Sequence, residues 1–299
     1  VKHYNEPFAD SSAIPSYYVA KMTRQNVTVA LSGDGGDESF AGYQHYADLL
    51  SWNKFDCLNP NLRKLLARLG AVAVRPFNSN NMFARIERGF AMLACCNIKE
   101  RRDLSITTLK AAEKRQAYTE QFKNFLKSQK FRNNRIANFA CNPKEGDLDW
   151  LMRHDQNFYL PDCLMVKTDI ASMANSLEVR SPFLDHCFIE FAATIPSSLK
   201  RNETNSKIIL KQAVAHLLPE EILSKPKTGF AVPLAHWLRH DLADMLRATL
   251  LSDKSFNRNL FMPELLKKMV EEHIAGQRDW SNRLYAFLFL ELWFQEFID

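Results

Sequence analysis

Seven residues, Ser32-Gly33-Asp34-Gly35-Gly36-Asp37-Glu38, follow directly on an apolar run at positions 27–31. The run is rich in β-branched residues and predicts a short buried strand. Three glycines within four positions let the backbone turn tightly and approach a ligand closely. In open α/β sheets, ligands bind just beyond the carboxyl ends of the strands. The stretch therefore predicts a binding loop at a strand end, with a solvated acidic turn as the alternative.

The three carboxylates of this loop indicate which ligand it would bind. Carboxylates repel phosphate directly, so a nucleotide at this place would need a bridging Mg²⁺. Asp37 is the candidate ligand of that ion, because a hard cation prefers carboxylate oxygen. An EF-hand does not explain these acids, since its alternating Asp pattern and closing Glu are absent. Two readings stay open for Glu38: it belongs to the site, or it begins the next helix, where an acid complements the dipole.

Two further motifs lie downstream. Residues 162–185 read Asp-Cys-Leu-Met-Val-Lys-Thr-Asp-Ile-Ala-Ser-Met-Ala-Asn-Ser-Leu-Glu-Val-Arg-Ser-Pro-Phe-Leu-Asp, and residues 225–230 read Lys-Pro-Lys-Thr-Gly-Phe. Together with the acidic loop, they resemble the synthetase domain of glutamine-hydrolysing asparagine synthetases and their amidotransferase relatives. The resemblance includes Asn-Glu-Pro-Phe-Ala-Asp at 5–10 and Leu-Glu-Leu-Trp at 290–293. It thus reaches both ends of the chain.

This resemblance implies an α/β, mostly helical fold: an incomplete parallel core of the adenine-nucleotide α-hydrolase-like (PP-loop) type, followed by a large helical region. Residues 1–299 would form a single synthetase domain, with an α/β remnant at 1–48, a divergent helical region at 49–145 and a helical substrate and C-terminal region at 146–299. The family's pyrophosphate loop, Ser-Gly-Gly-x-Asp-Ser, does not occur in this sequence. We therefore expect a C-terminal part of a longer enzyme that is inactive by itself.

Site residues follow from the resemblance. Lys227 matches the family lysine that stabilises charge at the α-phosphorus, a task suited to a fixed ammonium. Asp34 stands where many relatives carry a glutamate that assists amine attack, although its side chain is one methylene shorter. The ATP or substrate loop would comprise Ser32, Gly33, Asp34, Gly35 and Gly36. Asp169 and Ser172 share a helix face that could line the substrate pocket, and Glu178 either joins that pocket or pairs with Arg180.

The implied activity is an ATP- and Mg²⁺-dependent ligation: adenylation of the aspartate side-chain carboxylate, then displacement of AMP by ammonia from glutamine. The implied partners are these small molecules and an N-terminal glutaminase domain, with a second copy of the chain as an open option. Two alternatives remain. One is an amidotransferase acting on another carboxylate, such as a sugar acid of a surface polysaccharide, or an amide-forming cyclase. The other is a non-catalytic helical scaffold.

Composition sets outer limits on these interpretations. The net charge of +5 is modest for 299 residues, and its lysines and arginines are scattered, which favours solvated helix faces over a nucleic-acid surface. No apolar run reaches the roughly 18 residues of a membrane-spanning helix. The six cysteines lack Cys-x-x-Cys spacing, as in reduced thiols of a cytosolic protein. We expect a cytoplasmic protein without nucleic-acid or membrane partners.

Local signals place several elements. Residues 13–25 and 280–298 read as helices, and Gly70 suits the end of a helix that carries Leu62, Leu65, Leu66 and Leu69. Ser206 could cap a helix over 207–218, and Asp185 could cap the helix that follows it. His154 and His186 are isolated histidines for which a ligand role is not favoured.

Overall fold

The computed structural model describes residues 1–74, 81–128, 139, 145–225 and 229–299. Its N-terminal elements are α1 (Ala13–Arg24), β1 (Val29–Leu31), α2 (Gly36–Ser39), α3 (Gln44–Leu50), α4 (Pro60–Val74), α5 (Asn81–Ala94), α6 (Ile98–Ile106), α7 (Ala111–Ala117) and α8 (Glu120–Ser128). The later elements are α9 (Asp147–Asn157), α10 (Val166–Met173), β2 (Glu178–Arg180), α11 (His186–Thr194), α12 (Ser197–Lys200), α13 (Ile208–Val214), α14 (Glu220–Ser224), α15 (Leu234–Arg239), α16 (Ala243–Leu250), α17 (Asp253–Asn257), α18 (Pro263–Ile274) and α19 (Ser281–Phe297). The prediction of a mostly helical α/β chain is confirmed.

The chain divides into two compact units. The sheet unit comprises Ser12–Lys54 and Asn134–Ala231, and the helical unit comprises Val1–Ser11, Phe55–Asn133 and Val232–Asp299. The functional organisation into one synthetase domain with a PP-loop core stays a prediction.

The sheet unit contains a parallel pair of strands. β1 and β2 pair in the register Val29↔Glu178, Ala30↔Val179 and Leu31↔Arg180. A strand at 27–31 is confirmed, although it is shorter than predicted. Its expected burial is wrong: Val29 is 40% exposed and Leu31 is 74% exposed. Within the described residues β1 pairs with one strand only, so its second edge is open, and the side chains of Val29 and Leu31 lie on an exposed face.

Two helices of the sheet unit are joined close to this pair. α1, which confirms the helix predicted at 13–25, packs on α10. Asn175 Nδ2 donates to the Tyr17 carbonyl oxygen at 3.2 Å, and Lys167 Nζ lies 2.8 Å from Ser12 Oγ. These bonds tie both helices together at the level of the strands.

The helical unit has its own apolar core, built by α15, α16, α18 and α19. The core side chains are Leu234, Leu238, Leu246, Leu250, Leu266, Met269, Val270, Trp280, Leu284, Phe287 and Leu288. The helix predicted at 280–298 is confirmed as α19, whose buried residues include Leu284 and Phe289. Over the described residues, no helix is both long and apolar enough to cross a bilayer.

Gly70 does not end its helix. α4 continues to Val74, and a Cβ on Gly70 would come within 2.3 Å of the Phe90 ring on α5. The glycine therefore serves the close approach of α4 and α5 rather than a helix stop. No disulfide joins the cysteines of the described chain, and Cys141 lies outside the described residues.

Candidate active site

The parallel pairing brings the carboxyl ends of both strands together. The Ser32 amide donates to the Arg180 carbonyl oxygen at 2.8 Å, which extends the ladder by one bond beyond β1. Directly after the strands, Ser32 Oγ and Ser181 Oγ lie 2.8 Å apart. A polar pair from two distant parts of the chain thus marks the strand end where ligands bind in open parallel sheets.

The acidic loop turns sharply at this strand end. Gly35 has φ +90°, and a Cβ there would lie 2.2 Å from a methyl carbon of Leu184, so only glycine fits. The Gly36 amide donates to the Gly33 carbonyl oxygen at 3.2 Å and closes the turn. Ser32 Oγ donates to Asp34 Oδ2 at 2.7 Å, so Asp34 is anchored to the end of β1. Ser32, Gly33, Asp34, Gly35 and Gly36 thus form one ordered turn.

Asp37 follows in the first turn of α2 and is paired with a cation. Its Oδ1 lies 2.7 Å from Nζ of Lys207, and the side chains of Asp37 and Lys207 are 14% and 26% exposed. A carboxylate oxygen is a hard donor suited to Mg²⁺. Its assignment as the metal ligand stays a prediction.

Glu38 lies in the same first turn of α2, where one of the two interpretations placed it at the start of a helix. Its side chain is not solvated there, because the residue is only 1% exposed. Tyr43 donates its hydroxyl proton to Glu38 Oε1 at 2.5 Å. Burial raises the pKa of Glu38, and the charges of Asp37 and Asp155 act in the same direction, while the Tyr43 hydrogen bond opposes them. Burial likewise raises the pKa of the Tyr43 hydroxyl.

A second buried carboxylate, Asp155, was missed by sequence reasoning. It is fully buried on α9; its Oδ2 accepts a hydrogen bond from Tyr46 at 3.0 Å and lies 3.1 Å from His45 Nε2. Its Oδ1 lies 3.3 Å from Nδ1 of His154, which is also buried. The sequence offered one sign of this: Asp155 lies among apolar and aromatic residues at helical spacing. An acid on such a face is expected to be buried and paired with other polar groups.

An uncharged cleft of about 230 Å³ lies beside the end of β1. It is lined by side chains of α1, α10, both strands and the segment after α14: Ser16, Val19, Ala20, Thr23, Ala30, Leu31, Ser32, Thr168, Ala171, Ser172, Leu177, Val179 and Phe230. Of the predicted pocket residues, Ser172 is buried and lines this cleft. Its hydroxyl donates to the Asp169 carbonyl oxygen at 3.1 Å.

The other two predicted pocket residues do not line the cleft. Asp169 is exposed on α10. Glu178 is exposed as well, and its Oε1 lies 2.7 Å from Nε of Arg180 in a solvent-facing ion pair. The second reading of Glu178, a pair with Arg180, therefore describes the observed geometry, and a substrate role for either acid stays a prediction.

Lys227 lies outside the described residues, together with Pro226 and Thr228. The described flank of the motif is informative, because Phe230 lines the same cleft as Ser32. Phe230, the last residue of the motif, thus lies near the strand end that carries the acidic loop. The proximity of Lys227 to Asp37 stays a prediction.

A separate cluster, Asp185, His186 and Cys187, has its ligand atoms within 4.8 Å of one another and is fully exposed. Asp185 Oδ1 accepts from the Phe188 amide at 3.2 Å, which confirms the predicted helix cap. The cap sits at the positive end of the α11 dipole, an unfavourable place for a cation.

Comparison with known proteins agrees with this organisation. The model of the asparagine synthase family matches residues 1–295. The chain is 30% identical over 293 residues to asparagine synthetase [glutamine-hydrolyzing] 1 of Bacillus subtilis, covering 98% of this chain and 44% of the relative. It is 31% identical over 140 residues to the asparagine synthetase of Gallus gallus, covering 42% of this chain and 25% of that protein.

A third relative, asparagine synthetase [glutamine-hydrolyzing] 3 of Bacillus subtilis, is 34% identical over 107 residues, 32% of this chain and 17% of its own length. The chain belongs to the asparagine synthase family. Almost the whole of this chain matches the first Bacillus relative, but the match spans less than half of that protein's length.

Proposed function

We propose that this chain is the synthetase part of a longer amide ligase. The ligase would use ATP to adenylate the aspartate side-chain carboxylate and ammonia from glutamine to form asparagine. Family membership supports the proposal, since the matched relatives are named glutamine-hydrolysing asparagine synthetases. The observation that carries it is the acidic glycine loop, held by Ser32 and Lys207 at the carboxyl ends of two parallel strands.

The proposed chemistry has two balanced steps. A carboxylate oxygen of aspartate attacks the α-phosphorus of ATP, the bond to pyrophosphate breaks, and aspartyl-AMP forms. Ammonia then attacks the acyl carbon and a proton leaves the nitrogen. AMP departs with the oxygen that came from the aspartate carboxylate. Asp34, which accepts a hydrogen bond from Ser32, would help to take up that proton. Lys227 would supply the fixed positive charge for the first step.

The residues present fit a magnesium nucleotide. Mg²⁺ in such sites is usually held by one or two carboxylates together with substrate phosphates, so a single paired carboxylate at Asp37 is a suitable protein ligand. When bound, the ion would neutralise phosphate charge. The glycine loop allows close approach, since a Cβ on Gly33 would have no neighbour within 4 Å.

The open edge of β1 supports a longer protein. Parallel sheets are normally covered on both faces and contain more than two strands. Leu31, at 74% exposure, and Val29, at 40% exposure, are therefore unusual for a complete parallel sheet. We propose that another part of the intact protein pairs with this edge and supplies the pyrophosphate loop. The glutaminase partner is proposed from the names of the relatives.

The test is aspartate-dependent formation of AMP and asparagine by the intact protein with ATP and glutamine. Lys227→Ala should abolish adenylation, because the charge at the α-phosphorus is lost, while glutamine hydrolysis continues. Lys225→Ala, two residues away, is the matched control and should keep both activities. Unchanged pyrophosphate release in Lys227→Ala would remove Lys227 from the mechanism. AMP formation that requires another carboxylate instead of aspartate would show that aspartate is not the substrate.

A further inference from the structure

Lys207 stands at an unexpected place in the backbone. Ser206 does not cap the helix predicted at 207–218; it forms an isolated antiparallel bridge with Arg201, and α13 covers only Ile208–Val214. Lys207 itself precedes α13 with φ +55°, in the left-handed region that non-glycine residues rarely adopt. Such strain persists only where the surroundings over-determine it and is concentrated at functional sites.

The surroundings that fix this conformation belong to the segment directly after the acidic loop. The Lys207 amide donates to the Phe40 carbonyl oxygen at 3.2 Å. From the start of the same turn, Arg201 Nη1 donates to the carbonyl oxygens of Ala41 and Tyr43 at 3.0 and 3.1 Å. The turn at 201–207 thus holds the backbone that follows Asp37.

Gly42 makes room for the side-chain contact. A Cβ on Gly42 would lie 1.9 Å from Asp37 Oδ1 and 2.4 Å from Lys207 Cε. The ion pair therefore passes directly over the glycine, in a space that no side chain could share. The Gly42 amide also donates to the Asp37 carbonyl oxygen at 2.9 Å, so backbone and side chain of Asp37 are both held here.

We propose that Lys207 is a positioning residue that orients the Asp37 carboxylate for the divalent cation. The inference rests on the proposed function. Ligating carboxylates are commonly held by a second hydrogen-bonding partner, whose loss costs about 10–100-fold in metal affinity or activity. A carboxylate has about four lone-pair sites, so pairing with one ammonium does not exhaust its capacity to ligate. Lys207 fixes one oxygen and thereby the direction of the whole group.

The test compares Lys207→Met, Lys207→Arg and Lys211→Met in the intact protein. Mn²⁺ affinity is measured by EPR in the presence of α,β-methylene-ATP, which cannot release pyrophosphate, and the Mg²⁺ dependence of AMP formation is measured in parallel. Lys207→Met should weaken Mn²⁺ binding about 10–100-fold and raise the half-maximal Mg²⁺ concentration by the same factor. Lys207→Arg should restore most of the affinity. Lys211→Met, one helical turn away, should match the wild type.

Asp37→Asn is the positive control and should weaken Mn²⁺ binding at least as much as Lys207→Met. Unchanged Mn²⁺ affinity in a folded Lys207→Met protein would overturn the inference, and so would tighter binding, which would make Lys207 a competitor of the cation. If Lys207→Met folds poorly, Lys207→Gln takes its place. A wild type that forms no AMP with aspartate refutes the proposed function, whereas the Mn²⁺ comparison still tests Lys207.

Discussion

At the scale of single residues, the three carboxylates of the acidic loop differ in the groups that they contact. Asp34 accepts from a serine hydroxyl, Asp37 faces an ammonium, and Glu38 is buried against a tyrosine. Similar side chains within five positions therefore have different surroundings, and burial raises the pKa of Glu38. Sequence reasoning singled out the loop and Asp37 as candidates, but no local pattern predicts Lys207 or Tyr43 as partners of these acids, because both contacts depend on the fold.

The pH dependence of the free energy of unfolding should reveal the burial of Glu38. The pKa of Glu38 in the folded state is raised above the usual 4.5. As the pH rises above 4.5, the unfolded state therefore loses this proton before the folded state does. Glu38 therefore reduces stability increasingly with pH. Glu38→Gln, which keeps the shape and an acceptor for Tyr43, should become more stable relative to wild type as the pH rises above 4.5, as measured by urea unfolding at a series of pH values.

Glu264→Gln, at an exposed site on α18, is the control and should show no such trend. A difference between Glu38→Gln and wild type that is flat with pH, or that falls as pH rises, would contradict this assignment.

At the scale of elements, much of the fold could be predicted where local chemistry decides it. The periodicity of 13–25 and 280–298, the strand before the loop and the Asp185 cap depend on neighbouring residues. The errors concern distant partners. Gly70 accommodates Phe90, and Ser206 bridges Arg201, so in both places a tertiary contact overrides the local signal. The exposure of Val29 and Leu31 on β1 could not be predicted either, because it depends on what packs on that face of the sheet.

The C-terminal helix α19 is held by Arg258. Its guanidinium contacts Glu291 at 2.6 and 3.0 Å and Asp299 at 2.9 and 3.0 Å, and it lies 4.4 Å from the centre of the Phe294 ring. Arg258→Met would leave the carboxylate of Glu291, which is 4% exposed, buried without its cation. We expect a loss of about 3 kcal/mol in the free energy of unfolding.

Arg247→Met is the matched control, because Arg247 also pairs bidentately with a glutamate, Glu271, but at the solvent-exposed surface. Exposed pairs contribute little, so its unfolding midpoint should stay close to that of wild type. Equal effects of the two substitutions would show that burial of Glu291 does not matter.

At the scale of the whole molecule, the expectations that depend on other molecules stay predictions. A cytoplasmic location, the absence of nucleic-acid and membrane partners, and pairing with a second copy are in this group. The modest charge of +5 gives no reason to expect a polyanionic partner. The proposed activity requires a pyrophosphate loop, and the 299-residue sequence contains no Ser-Gly-Gly-x-Asp-Ser string.

Residues 1–299 alone should therefore form no AMP from ATP and aspartate, because the sequence contains no Ser-Gly-Gly-x-Asp-Ser loop for pyrophosphate. The measurement is AMP release by the isolated chain beside the intact protein, both with ammonia in place of glutamine. Ammonia removes any dependence on a glutaminase domain. Aspartate-dependent AMP release by the isolated chain would show that the loop is dispensable.

The pairing of β1 with β2 also has a consequence for biosynthesis. Ser32 and Ser181 are 149 positions apart, so the ribosome releases the acidic loop long before its partner strand exists. Contacts of such long sequence separation form slowly, since chain entropy opposes them. The nascent chain therefore carries the acidic loop without two of its long-range partners until Arg180 and then Lys207 have emerged from the exit tunnel. We expect premature termination within that interval to yield a product whose acidic loop lacks both contacts.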